Sequence, residues 1–433
     1  MSLSLSSPLK RISALDALRG FALLGIIVMH MLQHFGYGFV PVNHETLHFP
    51  QLDAAMQWIG NNVVMGRFIN IFAFLFGMSL FIQMDKAAKK GIDFRGRFVW
   101  RMMLLMVFGL LCHSFYNVEI ISVYALFGLL LLALYRVKTW VLVLLAVVLL
   151  LGAPRVAQVY FHNHEVAAEL NLSKQEALIE KQALVKQRVP DEQPVNAVQP
   201  EHLANPSFIN SAEYNYTTRL EAKLNYQFGF IGRGYVTFAL FIFGLLVGRS
   251  RFLETAHLHR NRLLQFFAGF TGATIVINAL QALMPEQNIR VFFRADGVHL
   301  PWELIGYQVL SDLSLVTYSG ALICGFLLLY YSKRFGAYLE VLSPYGRAAL
   351  TNYIMQGVIG SILFAPWAFG FTFGAWGVFA LVMFGLLIYI IQWALSYVWL
   401  KYYLYGPLEW LWRTGTYMSI QPFINCAQTK GRS

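Results

Sequence analysis

Ionisable side chains inside long apolar runs are the chemically informative residues of this 433-residue chain. From Asp16 to His34, the residues Asp16, Arg19, Leu23, Ile27, His30 and His34 recur at steps of three and four, so on a helix the charged and titratable groups share one stripe. The other faces are Leu, Ile, Val and Met. An ionisable group in hydrocarbon costs ~2.5 to 3.5 kcal/mol on insertion scales, so the stripe is expected to face protein or water. Arg19 and His30 lie about three turns apart, which sets a cation and an imidazole ~16 Å apart along the helix. That spacing suits an elongated, anionic ligand. The alternative is structural: Asp16 pairs with Arg19, and His30 bonds a neighbouring helix.

Further candidates open or close other apolar runs. Arg67 and Asn70 begin the second, His113 ends the third, and Glu119 begins the fourth. His30, Arg67, His113 and Glu119 are therefore expected in the same half of the membrane. A histidine oriented by a carboxylate acts as a general base, which makes His30, His113 and Glu119 the candidate catalytic residues. The alternative for His113 and Glu119 is a pair lining an interfacial loop. Asp312 is embedded in VLSDLSLV, and GRAALTNYIMQ carries Arg347, Asn352 and Gln356, the last two one turn apart on one face. Arg347 either joins Arg19 in holding phosphate or snorkels to the headgroups, and the amides either bind substrate or tie helices together. Cys112, Cys324 and Cys426 are scattered, with no paired framework or CxxC spacing, so no metal site or disulfide is expected.

The elements that must position these residues are membrane helices. The chain is 57% hydrophobic and only 13% charged, against about 25% charged in soluble domains. Apolar windows predict an all-α integral membrane bundle of about ten spans, near residues 14–35, 67–84, 98–115, 119–135, 139–160, 230–248, 263–284, 303–331, 347–365 and 375–400. Lys86, Lys89, Lys90, Arg95, Arg97 and Arg101 follow the second span, Arg136 and Lys138 the fourth, Arg249, Arg251, Arg260 and Arg262 the sixth, and Lys333 and Arg334 the eighth. The positive-inside rule makes these turns cytoplasmic, and with Lys10 and Arg11 it puts both termini inside. This distribution, with no aromatic-interleaved soluble patch, also argues against nucleic acid as the partner of the +11 formal charge. The first span is read as a retained helix, because Asp16 and Arg19 interrupt it and no small-x-small cleavage site follows.

Four regions follow. Residues 1–160 form an N-terminal membrane half with helices 1–5, and residues 230–400 a C-terminal half with helices 6–10. Between them, residues 161–229 are a polar extracytoplasmic segment, where Ser173 and Glu176 fit a capping box. Residues 401–433 hold a cytoplasmic interfacial helix, YGPLEWLWRTGTY, with Glu409 and Arg413 spaced as an i,i+4 pair and Trp410, Trp412 and Tyr417 as anchors. FGLL recurs at irregular intervals and marks no repeat.

Five pieces in order, LDALRGFALLGIIVMHM, NIFAFLFGMSLF, ISVYALFGLL, GRAALTNYIMQ and YGPLEWLWR, resemble the YeiB family, also called domain-of-unknown-function 418. Only residues 161–229 have no counterpart. The first-helix pattern is similar to that of a wider superfamily of transmembrane acyltransferases, including the lysosomal heparan glucosaminide acetyltransferase and bacterial surface-glycan O-acetyltransferases. In the latter, a leucine-arginine pair precedes a catalytic histidine by the spacing that separates Arg19 from His30. Other YeiB members and the heparan enzyme have asparagine there, so His30 agrees with one branch and departs from another.

The resemblance implies a cytoplasmic acyl-CoA (acetyl-CoA) donor and acyl transfer to a hydroxyl or amine of an extracytoplasmic glycan or lipid, in a multi-pass protein of the bacterial inner membrane. On that reading Arg19, Arg347 and Asn352 bind the donor, while Arg67, Asn70, Asp312 and Gln356 bind the acceptor. The expected partners are the bilayer, acyl-CoA and the acceptor, with a homo-oligomer left open. The competing reading is a transporter or lipid-handling protein that uses the polar interior as a passage, against which stands the absence of paired repeats.

Overall fold

The computed structural model describes residues 13–37, 47–169, 203, 205–229, 232–285 and 300–425, and among these every regular element is helical. The helices are α1 (Ser13–Leu32), α2 (Pro50–Ile59), α3 (Arg67–Ala88), α4 (Arg95–Phe115), α5 (Ile121–Leu134), α6 (Thr139–Leu150), α7 (Ala153–Glu169), α8 (Phe208–Tyr214) and α9 (Leu220–Phe228). They continue with α10 (Gly234–Ser250), α11 (Arg260–Ala282), α12 (Trp302–Tyr330), the short α13 (Ser343–Arg347), α14 (Ala349–Phe364), α15 (Val378–Tyr402) and α16 (Pro407–Tyr417).

Among the described residues, six helical stretches are long and apolar enough to cross a bilayer: Ser13–Leu32, Pro50–Ala88, Arg95–Phe115, Arg260–Ala282, Trp302–Tyr330 and Val378–Tyr402. The number rises to eight if two bent pairs each count as one span: α6 with Ala153–Val166, bent by 49°, and α10 with Phe252–Leu258, bent by 54°. The shorter apolar helices Ile121–Leu134 and Ala349–Phe364 stand at two more of the positions read from the sequence. The surface is inverted relative to a soluble protein. Ile275 and Val276 of α11, Leu144 of α6 and Leu395 of α15 are exposed, whereas Asp16, His30, Glu119 and Asp312 are buried. Lipid satisfies the former and the protein interior the latter.

α1 is the central helix rather than one with a single inward stripe. Residues on all its faces are buried, among them Leu18, Ala22, Ile26 and Met29, because α3, α13, α14 and α15 surround it. The stripe also stops short of His34. The helix ends at Leu32, and His34 and Phe35 take positive φ values of 47° and 50° in the following turn. Glycines permit the tightest crossings. A Cβ on Gly346 would stand 1.8 Å from the Asp16 carbonyl oxygen, while Cβ atoms on Gly77 and Gly244 would each stand 2.0 Å from a carbonyl of the facing helix, Phe241 and Phe74 respectively. Without a hydrophobic drive between helices in lipid, such backbone approach maximises dispersion contact.

The ends of the helices sort into two sets. Arg251 pairs with Asp85 at 2.9 Å, Arg249 donates to the Tyr135 and Val137 carbonyls, Ser13 bonds Tyr330, and Trp412 donates to the Arg101 carbonyl. The basic turns after α3, α5 and α10 thus share one end of the bundle with the start of α1 and with α16. At the opposite end, α8, α9 and the turn between them cover the α4–α5 turn. The capping box at Ser173 and Glu176 and the basic residues Lys10 and Arg11 lie outside the described residues.

Candidate functional site

A cavity of about 290 Å³ runs between α1, α3, α4, α5, α14 and α16. Its charged end carries Arg19, Arg101 and Arg347 with Gln83, Glu409 and Trp412, all at the basic end of the bundle. Phe98 stands beside the charged end, the remaining walls include Phe76, Met102, Leu105 and Ile26, and Tyr353 and Ile120 line the cavity as well. Arg19 Nη1 donates to Asp16 at 2.7 Å, and Nη2 to Ser79 Oγ at 2.7 Å, while Ser79 returns its own proton to the Leu75 carbonyl. The structural pairing of Asp16 with Arg19 and the placing of Arg19 on a cavity wall therefore coexist. Arg101 lies 3.5 Å from the ring centroid of Trp412, and Arg347 donates to the Leu404 carbonyl at 3.4 Å. Three guanidiniums above an apolar shaft suit a molecule with an anionic head and an uncharged arm.

α16 closes over this end by a contact that the i,i+4 spacing did not anticipate. Glu409 turns away from Arg413 and accepts from Leu350 N at 2.6 Å, Thr351 N at 3.1 Å and Thr351 Oγ1 at 2.5 Å. The N–H groups at the start of a buried helix have no intrahelical acceptor, so they claim the carboxylate ahead of the half-buried Arg413 guanidinium. Burial raises the Glu409 carboxyl above its ordinary range, against the hydrogen bonds that lower it. Arg413 instead lies over the rings of Tyr405 and Tyr417.

His30 is buried beyond the apolar end of the cavity. The Tyr116 hydroxyl lies 2.8 Å from its Nδ1 and 3.0 Å from Nε2, and Phe35, Tyr116 and Tyr353 surround the ring. Tyr353 connects it to the cavity: its ring is 6.4 Å from the imidazole and also lines the cavity wall. His30 is thus one aromatic layer from the shaft, and its hydrogen-bonding partner is a phenol.

His113 and Glu119 do not join it in a hydrogen-bonded triad. His113 Nε2 bonds the Asn215 carbonyl at 2.9 Å. Glu119 accepts from Ser122 N at 3.0 Å and Ser122 Oγ at 2.6 Å and forms a buried ion pair with Lys223 of α9. Its carboxylate thereby caps α5, and its charge is matched by a lysine of α9, far along the chain. Six residues do make a tight turn between α4 and α5, but α8 and α9 supply stronger partners than the two side chains offer each other. Asn215, inside an N-x-T tripeptide, is buried and bonds the His113 and Ser114 carbonyls.

The remaining candidates form two separate networks. Asp312 is buried between Arg233 at 2.7 Å and Arg155 at 3.1 Å, with the Tyr235 hydroxyl donating at 2.8 Å. Arg67 donates to the Asn61 and Met65 carbonyls, and Asn70 to Ser319 at 3.3 Å, near the same end. Asn352 and Gln356 do share a face, but it is one that meets Tyr345 and Ser396 rather than the cavity. The Asn352 amide donates to the Tyr345 carbonyl and to Ser396, and Gln356 donates to the Tyr345 hydroxyl.

Arg155 and Arg233 are solitary charges in apolar context, GAPRV and IGRGY, and the rule applied to Asp312 would have found them. Tyr116 and Tyr353 carry no such signal among 22 tyrosines.

Apolar faces outside, polar networks inside and a cation-headed cavity define a multi-pass helical membrane protein. The family model described as "Protein of unknown function (DUF418)" matches residues 247–419. An uncharacterized 39.9 kDa protein from the amylase 3' region of Bacillus acidopullulyticus is 30% identical over 424 residues, covering 96% of both chains. The uncharacterized protein YxaH of Bacillus subtilis is 28% identical over 430 residues, 95% of this chain and 96% of that one. The uncharacterized protein YeiB of Escherichia coli is 35% identical over 80 residues, 18% of this chain and 20% of that one. The chain belongs to the YeiB/DUF418 family.

Proposed function

We propose that this protein is a transmembrane acyltransferase that takes an acyl group, acetyl in the simplest case, from cytoplasmic acyl-CoA and delivers it to a hydroxyl or amine of an extracytoplasmic glycan or lipid. The observation that carries the reading is the cavity: Arg19, Arg101 and Arg347 crowd its charged end, and its apolar shaft leads to Tyr353, against which His30 packs. A coenzyme A thioester has that polarity, phosphates at one end and an uncharged pantetheine arm ending in the reactive carbonyl. His30 is the group best placed to receive the acceptor's proton, with the Tyr116 hydroxyl orienting its ring. Because His113 bonds Asn215 and Glu119 pairs with Lys223, both within residues 161–229, we give them the role of fastening that segment rather than of proton transfer.

The reading takes ten spans, both termini in the cytoplasm, residues 161–229 outside, and residence in the bacterial inner membrane, in keeping with bacterial relatives. Calorimetry of the purified protein against acetyl-CoA and longer acyl-CoA species tests it. Binding to at least one, competed by free coenzyme A, is expected. Failure to bind any of them would transfer the cavity to the transporter reading.

A further inference from the structure

Three arginines gather at the end of the bundle opposite α16. Each stands at the start of a helix: Arg67 is the first residue of α3, Arg155 the third of α7, and Arg233 the residue just before α10. Helix N-termini carry partial positive charge, so cations are disfavoured there, and three such placements in one region oppose the ordinary preference. Asp312 meets two of them, Arg155 and Arg233. Arg67 belongs to the same cluster. Arg233 Nη1 lies 3.2 Å from where a Cβ on Gly66 would stand, and Leu315, one turn from Asp312, touches the same point. Asp312, Leu315 and Ser319 form one face of α12, and Ser319 donates to the Arg67 carbonyl at 2.9 Å.

Among the described residues, Asp312 is the carboxylate that ion-pairs in this cluster and it is shared by Arg155 and Arg233, so positive charge is in excess. The neighbouring groups do not cancel it. Tyr235 donates its proton to Asp312, and the aromatic faces of Tyr235 and Tyr318 lie 5.3 Å from Arg155 and Arg67 respectively. Among the described residues, the buried Arg67 Nε and Arg233 Nη2 have no acceptor in hydrogen-bonding geometry, with the Tyr226 phenol also beside the Arg233 guanidinium. Arg233 keeps 19% of its side chain exposed, so the cluster is reachable.

We propose that Arg67 and Arg233, with Arg155 beside them, form a binding site for a phosphate group, whose charge of about −1.5 to −2 offsets that excess and whose oxygens accept from Arg67 Nε and Arg233 Nη2. Two sources present that chemistry, a lipid with a terminal phosphate headgroup and a free phosphate. The site is separate from the cavity at Arg19 and stands whether or not that cavity takes acyl-CoA.

Thermal unfolding of the full chain in detergent tests this, with inorganic phosphate and short-chain phosphatidic acid as probes, each against chloride at equal ionic strength and the latter also against the matching diacylglycerol. A rise in Tm of about 2 °C or more is expected with at least one probe. A response to phosphatidic acid alone assigns a lipid headgroup, and a response to inorganic phosphate assigns the phosphate itself. Arg67→Gln and Arg233→Gln should each raise the half-saturating concentration at least tenfold, while Arg95→Gln, in neither site, should leave it unchanged. Wild-type protein gives an independent readout. The effective probe should protect Arg67 and Arg233, but not the exposed Arg95, from modification by phenylglyoxal. No rise with either probe, an unaltered response in the Arg67→Gln or Arg233→Gln variant, or equal modification with and without the probe would overturn the proposal.

Discussion

Arg19 and His30 separate binding from chemistry if the cavity holds an acyl donor. Arg19→Lys keeps a cation but loses the fork that reaches Asp16 and Ser79 together, and it should weaken donor binding by about tenfold, read by calorimetry. His30→Ala should leave donor affinity nearly intact and lower turnover by about 10² to 10⁴, read as acyl transfer to an added acceptor. A His30→Ala protein with full turnover would remove the general base from the scheme. The pair of Glu119 and Lys223 predicts a different signature. Lys223→Ala strands a fully buried carboxylate and should cost ~3 to 5 kcal/mol, seen as a lower Tm with no change in donor affinity.

Helices impose their own test through their crossings. On Gly244, a Cβ would stand 2.0 Å from the Phe74 carbonyl oxygen, a backbone atom that cannot rotate aside. Gly244→Ala must push α10 from α3 and should cost ~1 to 3 kcal/mol, measured by thermal unfolding in detergent. α16 is held by one carboxylate on the first turn of α14, together with the contacts of Trp412 with Arg101. Glu409→Ala leaves the Leu350 and Thr351 donors without their acceptor and should lower stability by ~1 to 3 kcal/mol. It should also raise the labelling of a Thr416→Cys variant, a buried position of α16, since the helix that flanks the charged end of the cavity would be released. Unchanged labelling would show that Trp412 and Arg101 hold α16 without Glu409.

The molecule as a whole is sided, and its topology is open to direct measurement. With Cys426→Ser in place, Cys112 and Cys324 are buried, so a Pro190→Cys variant reports its own position. Impermeant maleimide should reach position 190 from outside intact cells; labelling only after the cytoplasmic face is exposed would invert the orientation. The gathering of the basic turns at one end, through contacts such as Arg251 with Asp85, is what makes a single orientation rule applicable to the entire chain.

Hydrophobic length and charge placement are local properties, so the apolar helices, their starts at Arg67 and near Glu119, and the family resemblance were legible from residues alone. The cost of ionisable groups in hydrocarbon likewise singled out Arg19, His30 and Asp312 as inward-facing before any fold was known. Which partner each group takes is a tertiary matter. Lys223 lies 104 residues from Glu119, and Arg233 lies 79 from Asp312, so no spacing rule could join them. The same holds for α1: a stripe can be counted along one helix, but its burial on every face depends on how many helices surround it. The cavity itself belongs to no single element, because its cations come from α1, α4 and α13, and only packing decides that the space between them stays open.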